Sequence, residues 1–92
     1  MSDVIETQIL ISNRKGLHAR SSAKFVKEAE KFDASVIVIF QGQEADATSI
    51  MDLLMLGAGS GSTVLLRAEG PQAQEAIAAL THLIEIKFEE DE

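Results

Sequence analysis

Apolar residues recur along this chain in two rhythms, one of two positions and one of three to four. Val4 to Ile11 is rich in β-branched residues and reads as a strand. Ser12 to Leu17 is polar and glycine-containing, a loop. Ala19, Ala23, Val26, Ala29 and Phe32 then recur at helical spacing through Lys24, Lys27, Glu28 and Lys31, which predicts a helix ending near Phe32. Ser35 to Phe40 is a strongly β-prone run, and Gln41-Gly42-Gln43 turns it into a weaker strand over Glu44 to Ala47.

A second helix follows Ser49, because Ser49-Ile50-Met51-Asp52 has the form of a capping box, and the glycines from Gly57 to Gly61 end it. Ile50, Leu53, Leu54 and Gly57 form one stripe of this helix, the expected core side; Met51, Met55 and Leu56 carry apolar character around the rest. Thr63 to Ala68 reads as the last strand. Gly70-Pro71 opens the last helix, with proline where a missing N–H costs least. Ala73, Ala76, Ile77, Leu80 and Ile84 give it a buried stripe, with Phe88 near its end. Glu89 to Glu92 is expected to be a frayed acidic tail. The order βαββαβα predicts an α+β fold, an antiparallel sheet covered on one face by three helices, in a single domain spanning 1–92.

Composition narrows the classes of function. Fifteen acidic residues against eight basic ones give a net charge of −7, which argues against nucleic acid as a partner. Neither Trp nor Tyr is present to stack on bases. The absence of cysteine leaves no disulfide and no thiolate metal site, in keeping with a cytoplasmic location. No apolar run approaches the length of a membrane span, so no membrane association is expected. Six of the eight basic residues fall between Arg14 and Lys31, a positive patch that can steer an acidic surface toward that segment.

Within that patch lies Gly16-Leu17-His18-Ala19-Arg20, which places one imidazole where a loop becomes a helix. A helix start offers unpaired N–H groups and the positive end of the macrodipole, and Arg20 adds a guanidinium shaped for phosphate. Histidine attacks as a neutral nucleophile near neutral pH. These parts suggest a histidine that accepts and holds a phosphoryl group. Its rivals are a surface histidine without function and an Arg20 engaged in an ordinary ion pair with the acidic tail.

Asn13 to Arg20 resembles the active-site signature of the HPr family, small bacterial phosphocarriers of the phosphoenolpyruvate-dependent phosphotransferase system. The likeness continues through Ala23-Lys24-Phe25-Val26, Phe32-Asp33-Ala34 and Ser49-Ile50-Met51, and spans about Thr7 to Phe88. Leu53-Leu54-Met55-Leu56 and Glu69-Gly70-Pro71-Gln72 are closer to the nitrogen-related branch, NPr. The resemblance implies an open-faced β-sandwich that acts as a monomer without a cofactor. It implies that His18 is phosphorylated at Nδ1 by phosphorylated enzyme I and passes the group to a histidine of an EIIA-type acceptor. Amides of Ala19, Arg20 and Ser21 would bind the phosphate, and Arg20 would stabilise charge. Ser21 departs from the proline that many members carry there.

Ile50, Met51 and Leu54 match the family's partner-binding face. Ser49 aligns with a serine that a dedicated HPr kinase phosphorylates in some members; its competing role is to cap the second helix, which Asp52 favours by placing a negative charge beside any phosphate. Two other functions compete with the carrier: a regulatory module that binds partners through the second helix, and an acidic carrier modified on Ser49. Carriers of the latter kind are helical bundles with an acidic residue before the serine, where this chain has Thr48 and a strand from Val36 to Phe40. His82 is placed on the outward face of the last helix, and no metal site is indicated.

Overall fold

The computed structural model describes residues 4–90. Four strands and three α-helices follow in the expected order: β1 (Val4–Leu10), α1 (Ala19–Ala29), β2 (Ser35–Phe40), β3 (Gln43–Asp46), α2 (Ile50–Leu56), β4 (Thr63–Glu69) and α3 (Ala73–Glu85), with a short 3₁₀ turn at Lys87–Glu89. The strands form one sheet in the order β1-β4-β2-β3, every pair antiparallel. Strand β4 is therefore central: Thr7 faces Leu66 on one side and Val38 faces it on the other.

Alternation along the strands decides which face is covered. Val36 and Val38 in β2 and Val64, Leu66 and Ala68 in β4 are buried, while their neighbours Ile37, Ile39, Leu65 and Arg67 lie on the more open face. Arg67 Nε donates to Glu6 Oε2 across that open face at 2.6 Å. Phe25, Val26 and Ala29 of α1, Leu53 and Leu56 of α2, and Ala76, Leu80 and Ile84 of α3 close the core from the other side. The β2–β3 hairpin turns through Gln41 (φ 52°) and Gly42 (φ 79°), two left-handed residues whose twist matches the paired strands.

Three elements depart from the sequence pattern. In α1 the buried face is Ser21, Ser22, Phe25, Val26 and Ala29, whereas Ala19 and Ala23 are exposed. The helix is rotated from the all-apolar stripe because Ser21 can be buried while its hydroxyl bonds the backbone. In α2 only Leu53 and Leu56 face the core; Ile50, Leu54 and Gly57 point outward. Its capping box is also one-sided. Ser49 Oγ accepts the Asp52 N–H at 3.2 Å, but Asp52 Oδ2 accepts from Asp46 N instead of returning to Ser49. Asp46 in turn accepts from the Thr48 amide and hydroxyl at 2.9 and 2.7 Å, and these bonds hold its carboxyl below the ordinary value of 3.8.

The third departure is at the end of the chain. α3 stops at Glu85, and Phe88 sits past it in a left-handed turn, fully buried. Glu89 and Glu90 do not fray: the turn seats Glu90 against the loop before α1, while residues 91 and 92 of the expected tail lie outside the described residues.

Candidate functional site

His18 is the N-cap of α1, with an extended backbone (φ −105°, ψ −175°). Serine, threonine, aspartate or asparagine usually fills that position, because a short side-chain oxygen reaches back to the first free amides. Here the imidazole does so: Nδ1 accepts the Arg20 N–H at 3.2 Å. Ser21 answers from the helix side. Its Oγ accepts the His18 N–H at 2.9 Å and donates to the Gly16 carbonyl at 2.8 Å, a reciprocal capping box. The capping box expected at α2 is thus complete at α1, where the sequence carries no acidic residue to signal it.

The loop that carries the ring is tied down along its length. Ile11 N donates to Ser62 O and Gly61 N to Ile11 O, both at 2.8 Å, and Leu17 N donates to Ala58 O at 2.9 Å. Asn13, completely buried, donates through Nδ2 to Gly16 O at 2.8 Å. Gly16 therefore supplies more than loose backbone. It holds φ at +66°, and a Cβ there would lie 2.5 Å from the Gly59 Cα and 2.6 Å from the Ala58 carbonyl. Only glycine admits both the conformation and the approach.

The ring borders an open depression of ≈ 610 Å³. Arg14, Lys15, Arg20 and Lys24 line it together with Glu89 and Glu90. Arg20 is exposed, and among the described residues its guanidinium forms no ion pair, so the ion pair with the tail weighed from sequence is not made there. A free guanidinium beside a helix start is suited to anionic oxygens. Ala19 is exposed at the first helical position, and Ser21 is buried with its hydroxyl committed to the cap.

The second cluster of candidates lies on α2. Met51 is 68% exposed and Met55 76%, beside outward-facing Ile50 and Leu54, an apolar patch that the core does not use. Ser49 is spent on capping this helix. His82 is exposed on α3, and among the described residues no group of three or more His, Cys, Asp or Glu side chains could hold a metal ion. No helix among these residues is long and apolar enough to cross a membrane. Glu90 and the complete cap by Ser21 were not legible as site features, since one depends on a contact 72 residues away and the other on a histidine acting as N-cap.

A four-stranded antiparallel sheet with a histidine capping the first helix excludes the helical-bundle carrier. The family model described as the PTS HPr component phosphorylation site matches residues 5–85, and the chain belongs to the HPr family of the phosphotransferase system. It is 45% identical to the phosphocarrier protein HPr of Cupriavidus necator over 97% of this chain and 100% of that one. It is 38% identical to the phosphocarrier protein NPr of Escherichia coli over 95% and 98% of the two chains, so both branches are among its relatives. The fold superposes on the crystal structure of HPr-C-His from Thermoanaerobacter tengcongensis with a TM-score of 0.92 and 44% identity, covering 96% of this chain and 99% of that one.

Proposed function

We propose that this chain accepts a phosphoryl group on His18 from phosphorylated enzyme I and passes it to a histidine of an EIIA-type acceptor. The observation that carries this reading is the ring itself: partly exposed at the helix start, its Nδ1 turned to a backbone amide, with Arg14, Lys15, Arg20 and Lys24 lining the depression it borders. In transfer, the Nδ1 lone pair forms a bond to phosphorus as the donor's P–N bond breaks and its electron pair returns to the donor imidazole. The Arg20 amide, now 3.2 Å from Nδ1, is placed to turn to a phosphoryl oxygen with its neighbours at the helix start. Because the bond made and the bond broken are alike, positioning and charge are what the domain supplies.

Radiolabelled phosphoenolpyruvate with enzyme I tests this. The label should be acid-labile and base-stable, and should map to the segment from Gly16 to Arg20. Label on any other residue overturns the assignment.

Arg20 serves the charge that develops on the transferred oxygens. Arg20→Ala should slow transfer about a hundredfold, the cost of losing one strong donor to transition-state charge. Because the guanidinium forms no ion pair among the described residues, thermal unfolding should be nearly unchanged; unaltered kinetics would remove Arg20 from the chemistry.

Ile50, Met51 and Leu54 form the docking face beside the site, and the methionine can adapt to more than one partner. Met51→Asp should weaken binding to enzyme I by roughly tenfold or more through a charge placed in an apolar contact, with stability shifted by less than about 0.5 kcal/mol. A titration indistinguishable from wild type would take Met51 out of the interface. Ser49 is read as a helix cap, a role that needs no kinase.

A further inference from the structure

The chain beyond the span matched by the family model is built onto the site. After α3, three consecutive residues that are not glycine take left-handed backbone: Lys87 at φ 57°, Phe88 at 56° and Glu89 at 62°. Side chains disfavour that conformation, so other contacts must hold it. Phe88 is wholly buried in the core, and its carbonyl accepts from Lys24 Nζ of α1 at 2.7 Å. The turn delivers Glu90, whose side chain is only 10% exposed, to the imidazole.

Both carboxylate oxygens are engaged. Oε2 lies 2.5 Å from His18 Nε2, and Oε1 accepts from Asn13 Nδ2 at 3.1 Å. Asn13 is buried and shares the same amide nitrogen with the Gly16 carbonyl, which fixes its direction. An ionised carboxylate only accepts, so Nε2 must carry the ring proton. On the other side of the ring Nδ1 accepts the Arg20 N–H, which requires a lone pair there. Two bonds from opposite ends of the chain thus specify one tautomer.

We propose that Glu90 is a positioning residue for transfer: it holds the ring proton on Nε2, leaves Nδ1 unprotonated with its lone pair at the helix start, and offsets the charge the ring acquires. The inference rests on His18 being the phosphoryl acceptor. As the Nδ1–P bond forms and the donor's P–N bond breaks, the ring becomes cationic while its proton stays between Nε2 and the carboxylate. A hydrogen bond that gains charge on the donor side strengthens during the step, the condition for accelerating it.

The full chain, labelled with ¹⁵N in histidine, provides a readout independent of transfer. Wild type should show a downfield, slowly exchanging Nε2–H resonance for His18, and Glu90→Ala should lose it. In transfer from phosphorylated enzyme I, Glu90→Ala should lower kcat about tenfold, as expected for one charge-assisted bond, with KM changed by less than about twofold. Glu90→Gln, which keeps an acceptor without the charge, should retain the resonance and fall between the two in rate. The inference is overturned if wild type lacks the resonance, if Glu90→Ala keeps it, or if the variant's loss is confined to KM. Wild type that takes no label on His18 sinks the carrier reading, and the resonance still decides where the ring proton sits.

Discussion

Gly16→Ala is expected to cost about 3 kcal/mol, lowering the melting temperature of a domain this size by about 15 °C. Two penalties add. A left-handed conformation at φ +66° costs an L residue roughly 1 kcal/mol or more. The new methyl carbon would also sit 2.5 Å from the Gly59 Cα and 2.6 Å from the Ala58 carbonyl, backbone atoms that cannot swing aside. The segment must open, and with it go the Leu17–Ala58 bond and the Gly16 carbonyl that receives Asn13, Ser21 and the His18 amide. Transfer should therefore fall well beyond the loss of stability, because the ring is hung from those bonds. Gly42→Ala is the control, with φ +79° and nothing within 4 Å of its added carbon. It carries the conformational penalty alone, about 1 kcal/mol, with transfer intact. Equal melting shifts for the two variants would show that the close approach at Gly16 contributes nothing.

The order of elements was legible because each block of the chain carries its own period, and local signals agreed with it: β-branched runs for the strands, glycine at the hairpin and after α2. His18 was legible because a glycine before it and helical spacing after it mark the helix start. The face that α1 buries was not. Counting only apolar residues selects Ala19 and Ala23, but a serine is small enough to bury and can bond the backbone beneath it, as Ser21 does to Gly16. On α2 the signal was saturated, since a short helix apolar on every side gives no phase; which residues reach the core is set by its packing on β3 and α1.

The C-terminal segment escaped for another reason. Four acidic residues in a row read as solvated, and a left-handed turn through lysine, phenylalanine and glutamate has no glycine to announce it. What overrides both is one non-local fact, a pocket in the core that Phe88 fills. The same fact changes the electrostatics of the site: a domain of net charge −7 brings a carboxylate to the ring while keeping its basic residues around the helix start. Attraction for an acidic partner and neutralisation of the ring thus fall to different side chains of one depression.

Phe88→Ala should consequently have two effects of different origin. Removing a completely buried phenyl ring costs about 3–5 kcal/mol, the lost transfer energy plus the cavity left behind. The melting temperature should fall by about 20 °C, with no relief from the backbone, because alanine at φ 56° is no more at ease than phenylalanine. The second effect is local. Without its anchor, the three left-handed residues keep the Lys24 bond and the turn's own backbone bonds but no side chain seated in the core, and Glu90 leaves its seat beside His18. Below its melting temperature Phe88→Ala should then match Glu90→Ala in losing the Nε2–H resonance, while Lys24→Met, which spares the phenyl ring, costs less than about 1.5 kcal/mol. Phe88→Leu separates the two effects: it refills most of the pocket, recovers more than half of the stability, and restores the resonance with it. If stability returned without the resonance, the ring in the core and the carboxylate on the imidazole would not be parts of one device.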